Sequence, residues 1–141
     1  METSVVRKRV NEAIELARRE ASERRTRGDE AAREYARFLD DVAVPLFRQV
    51  AGSLKAGNFG FTVFTPSGAV RLMSDKVAED FVELTLDTAG ERPAVIVHTS
   101  RARGRRIVES EQPIQSDSVG EITDAQLLDV LMKELRPFVE R

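Results

Sequence analysis

A chain of 141 residues with 41% hydrophobic and 33% charged side chains has the size of one domain with a buried core, and no apolar run approaches the roughly 18 residues of a membrane span. The lack of any cysteine excludes disulfides, thiol catalysis and cysteine-held zinc or iron–sulfur centres. The formal charge of −2 conceals an asymmetry: residues 1–57 carry twelve Lys and Arg against ten Asp and Glu, and residues 58–141 carry ten against fourteen.

The first residues, METSVVRKRVNEAIEL, lack the apolar core of a secretory signal, which sets the expectation of a cytoplasmic protein. From Val10 onward, apolar or small residues recur at alternating gaps of four and three, at Val10, Ile14, Ala17 and Ala21 and again at Ala31, Tyr35, Phe38 and Val42. That spacing is a heptad-like helical stripe. Between the two blocks the register passes through Arg24 and Gly28. Here the segment Arg24-Arg25-Thr26-Arg27-Gly28-Asp29-Glu30 gathers cations as a helix C-terminus does, offers a glycine for a left-handed closing position, and supplies an aspartate to cap a following helix.

Residues 1–57 therefore read either as one helix of about 50 residues, about 75 Å long, or as a helical hairpin turning near Gly28. The preserved register and the tightness of a two-residue turn tip the balance to the single helix. Pro45 removes a backbone donor and crowds the carbonyl of Asp41, so a kink or break is expected there. The helix then resumes over Leu46, Phe47, Val50 and Leu54 and stops at Gly57-Asn58. The stripe of Val10, Ile14, Ala17 and Ala21 is thin, and so little apolar area does not hold a lone helix together in water. These four residues are expected at an interface, on the chain's own domain or with a second copy in a homodimer.

Strand signals fall within residues 58–110. Residues 59–65 alternate Phe59, Phe61 and Val63 on one face, and Pro66-Ser67-Gly68 is a turn by composition. Residues 69–73 return as a second strand. Residues 79–87 place Val82, Leu84 and Leu86 inward and Glu79, Glu83 and Asp87 outward, and Ala94 to Val97 is apolar on both faces, as a central strand would be. Arg101 to Gly104 is expected to turn the chain into a fifth strand over 105–109, with residues 110–120 as polar loop. Thr123 followed three residues later by Gln126 is a capping box opening a C-terminal helix over 122–140, with Leu127, Leu128, Leu131, Leu135 and Phe138 on one broad face. The expected fold is α+β in two layers: an antiparallel meander of about five strands, covered by helices. Phe61, Val63, Val82, Leu84, Val95, Val97, Leu128 and Leu131 are its expected centre, with Phe38, Val42 and Leu46 docking from the first helix.

Chemistry is sparse. His98, the one imidazole, shares a strand face with Ser100, but no nucleophile setting surrounds any serine and no orienting carboxylate is evident. Asp40 and Asp41 diverge by about 100° around a helix, and Glu83 and Asp87 lie about 13 Å apart on a strand; neither pair matches a metal-ligand spacing. The glycines form no phosphate-binding loop. No catalytic residue, metal or cofactor is expected. The sharpest local feature is Arg101, Arg103, Arg105 and Arg106 at the hairpin tip. Their planar guanidinium groups suit carboxylates or phosphates. Pairing with Glu79, Glu83 and Asp87 or with solvent is expected; the alternative is an acidic partner, or nucleic acid or another polyanion held by this tip together with the basic face of residues 7–27, which carry eight Lys and Arg against four Asp and Glu. Together these readings describe a small non-enzymatic protein that associates with itself or with another protein through its N-terminal helical region.

Overall fold

In the computed structural model, which describes residues 1–140, the N-terminal half is one rod. Helix α1, Thr3–Phe38, runs without interruption into a π-helical turn, Leu39–Ala43, and then into α2, Val44–Ala56. These stretches of 36, 5 and 13 residues span about 80 Å. Gly28 does not end a helix, because positive φ among the glycines is confined to Gly68 and Gly104. The expected break at Pro45 is replaced by the π turn, in which the amide of Val44 reaches back five residues to the carbonyl of Leu39. The extra residue in that turn relieves the clash a proline ring makes with an α-helical carbonyl. The rod thus keeps its course and still buries Phe38, Ala43, Phe47 and Val50.

Five antiparallel strands follow in the order β1-β2-β3-β4-β5: β1 Phe61–Phe64, β2 Val70–Ser74, β3 Phe81–Asp87, β4 Ala94–Arg103 and β5 Arg106–Pro113. The β1–β2 turn closes with Gly68 at φ +73°, a conformation that favours glycine. A 3-10 turn at Val119–Glu121 leads to α3, Asp124–Val139. Thr123 caps α3 by accepting from the Gln126 amide at 3.1 Å. The Gln126 side chain, however, donates to the carbonyl of Gln115, so only one arm of the capping box closes on the helix.

The helices cover one face of the sheet, and the strand alternation decides which residues meet them. Val70, Leu72, Val82, Leu84 and Val95 are sealed between the layers with Phe47, Leu127 and Leu131. Tyr35 fastens α1 to the strands: its hydroxyl donates to the carbonyl of Gly68 at 2.9 Å and of Leu84 at 3.3 Å. Burial, and then the negative charge of Glu83, raises the phenol pKa above its ordinary value.

Two expectations about this half need correction. Leu128 is 38% exposed, because the buried stripe of α3 is Leu127, Leu131, Leu135 and Phe138 and Leu128 lies about 100° round from Leu127. Residues 110–113 are strand rather than loop. As the sheet's edge, β5 is exposed along its whole length, so its polar sequence is held by backbone pairing and carries no inward–outward alternation. Val42, Leu46 and Val63 pack against the core while partly exposed.

Candidate functional site

Two surfaces come from residues singled out in the sequence. The first is the projecting end of α1. Every residue from 1 to 20 is exposed, Ala21 is half-buried, and full burial begins at Ala31. Val10 at 50% and Ile14 at 44% exposure carry the stripe onto this arm of about 36 Å, in register with Ala31, Tyr35 and Phe38, which dock on the sheet. Because the rod is continuous, the arm cannot fold back onto its own domain. Val10, Ile14, Ala17 and Ala21 are therefore brought together on one face, of which Val10, Ile14 and Ala17 are exposed and Ala21 half-buried. Residues 7–27 also carry eight basic against four acidic side chains, so the arm is locally positive.

The second surface is the β4–β5 hairpin. Pairing between β3 and β4 ends at Phe81 and Ser100, whereas β4 and β5 stay paired through Ala102–Ile107 to Arg103–Arg106. Gly104 at φ +62° and Arg105 make the turn; Arg101 to Arg103, expected in the turn, are strand. Asp80, itself buried, anchors the base by accepting from the Ala102 amide at 2.7 Å. Past that bond Arg103, Arg105 and Arg106 are exposed; at the base Arg101 is half-buried, and Ile107 and Val108 are 55% and 42% exposed.

The expected pairing of the tip with Glu79, Glu83 and Asp87 does not occur. Glu83 takes Arg71 across the strands at 2.7 Å, and among the described residues none of the four tip arginines forms an ion pair.

His98 belongs to neither surface. It lies on the sheet face away from the helices, edge-on to Phe81 at 5.3 Å between ring centroids, with its Nε2 3.6 Å from Glu109. On its other side Phe81 stacks beneath the Arg71 guanidinium, 4.1 Å from the ring centroid. Glu83, Arg71, Phe81, His98 and Glu109 thus tile the open face with their own contacts. Ser100 shares that face but is buried, which leaves no exposed nucleophile beside the imidazole. Among the described residues no group of three or more His, Asp or Glu side chains is placed to hold a metal ion. No helix among them is long and apolar enough to cross a membrane.

Sequence reasoning missed one surface. A groove of about 420 Å³ runs between α2 and α3, lined mainly by Leu46, Val50, Leu54, Leu128, Met132 and Val139. The signal for it was the breadth of the apolar face on α3, wider than one buried stripe needs. Comparison of the chain with protein-family models, curated proteins and solved structures yields no match.

Proposed function

We propose that the protein works by protein–protein association, as a homodimer joined through the N-terminal arm, with Val10, Ile14, Ala17 and Ala21 at the interface and the cytoplasm as its setting. The observation that carries this reading is the apolar stripe that docks on the sheet at Ala31 to Phe38 and then continues, in register, onto a helix with nothing against it. An amphipathic helix takes most of its stability from the surface that covers its apolar face. A second copy supplies that surface, and the small Ala17 and Ala21 let two helices approach closely. A helix of another protein is the other kind of partner the same stripe would accept.

Light scattering coupled to size exclusion tests it. The expected mass is about twice the 15.8 kDa of the chain at micromolar concentration, and Ile14→Asp should return the protein to the mass of one chain. Ile14 lies outside the core, so this change should leave the unfolding free energy of the domain within about ±0.5 kcal/mol. A wild-type protein that stays monomeric up to hundreds of micromolar would defeat the reading. Polyanion binding by the arginine tip is a second reading, favoured by the exposure of Arg103, Arg105 and Arg106, none of which forms an ion pair among the described residues.

A further inference from the structure

We infer that the Arg101–Arg106 ribbon is a docking element for duplex DNA, entering the major groove and gripping backbone phosphates on either side. Charge gives the first argument. Arg103 and Arg106 face each other directly across the strands, a like-charge pairing that destabilises a hairpin. No carboxylate among the described residues neutralises either of them. An external anion removes that repulsion, and planar guanidinium groups clamp phosphate oxygens in pairs.

Shape gives the second. Past the bond that Asp80 accepts from Ala102, the ribbon projects by the Arg103–Arg106 pair and its two-residue turn, about 7 Å at strand rise, within the depth of about 8.5 Å of the B-form major groove, which is wide enough for a two-stranded ribbon. An anionic membrane fits the same surface poorly. Ile107 and Val108 are successive strand residues and point to opposite faces, so they make no single apolar patch to insert. The deep, narrow major groove of A-form RNA would not admit the ribbon, so DNA should be preferred over double-stranded RNA. The inference does not depend on self-association.

Fluorescence anisotropy of a labelled mixed-sequence DNA duplex, titrated with the full chain over a range of salt concentrations, tests it. Four phosphate contacts would give a slope of log affinity against log salt of about −3.6. Arg103→Gln with Arg105→Gln should shrink that slope by about 1.8 units, whereas Arg103→Lys with Arg105→Lys should keep it. Arg18→Gln with Arg19→Gln, on the arm, should leave it unchanged. Far-UV circular dichroism checks that each variant folds, and Arg105→Gln alone, at the turn itself, replaces the double variant if that one does not. No binding at low salt, an unaltered slope in the Arg103→Gln with Arg105→Gln variant, loss of binding with the arm variant instead, or binding to anionic vesicles but not to the duplex would each overturn the inference.

Discussion

Replacing Gly28 by alanine separates the continuous rod from the helical hairpin more sharply than any core substitution. In a helix interior, glycine is about 0.8–1.0 kcal/mol less favourable than alanine, because the unfolded chain loses more freedom there. An alanine Cβ at this position would meet only the Thr88 Cβ, at 3.9 Å, an ordinary contact that costs nothing. The substitution should therefore stabilise the protein by most of that amount, raising the thermal midpoint by about 2–3 °C for a chain of this size. Urea unfolding followed at 222 nm should show a higher midpoint with an unchanged slope. Gly28→Pro should cost about 3 kcal/mol, since it removes the residue's amide hydrogen and drives the ring into the carbonyl of Arg24. Were Gly28 instead a left-handed closing residue between two helices, alanine would lose about 1–2 kcal/mol. A destabilised Gly28→Ala would thus refute the single rod.

Two further outcomes test how the layers are joined. Leu84 is fully buried in β3, so Leu84→Ala should cost roughly 2–5 kcal/mol in urea unfolding, and a cost under about 0.5 kcal/mol would mean that the faces of β3 are reversed. Tyr35, the one tyrosine in a chain without tryptophan, can be titrated by its tyrosinate absorbance. Its pKa is raised in the fold, so its contribution to stability should be complete below about pH 10, the unfolded value, and be lost as pH rises beyond it. Tyrosinate should appear only with unfolding, Tyr35→Phe should flatten this part of the stability profile, and a midpoint near pH 10 in the intact fold would contradict the burial.

Much of the architecture was legible because it rests on periodicity. The alternation of Val82 with Leu84, and of Val95 with Val97, fixes which face of each strand meets the helices, and the register kept from Val10 to Val42 across the interruption at Arg24 and Gly28 favoured one rod. The misreadings arose where local signals are permissive and tertiary context decides. Arg24 to Glu30 has the composition of a helix end, but cations and a glycine permit a terminus without forcing one, and the adjoining turns propagate through it. Pro45 forbids a regular α-helical turn, yet says nothing of whether the rod will break or widen. Packing of Phe38 and Phe47 on the same core keeps the axis continuous and leaves the π turn as the solution. The extent of β5 left no pattern to read, since an edge strand exposed on both faces can carry almost any polar sequence.

The same contrast explains why the candidate sites fall where they do. The sheet face opposite the helices needs no second layer, because Arg71 pairs with Glu83 and stacks on Phe81, Phe81 abuts His98, and His98 approaches Glu109. These polar groups find neighbours within the sheet, although Phe64 on the same face stays 44% exposed. The arm and the ribbon tip lack this internal closure, for opposite reasons. On the arm an apolar stripe extends past the sheet that its C-terminal half rests on. At the tip, four cations extend past the carboxylates that the sequence placed nearby, because Glu83 is already committed to Arg71. In each case a feature that is balanced inside the domain continues beyond it, and what would complete it differs in kind: an apolar helix for the arm, an anion for the tip. Ile14→Asp and the Arg103 and Arg105 substitutions should therefore act independently, one changing the mass of the particle and the other the salt dependence of its binding to DNA.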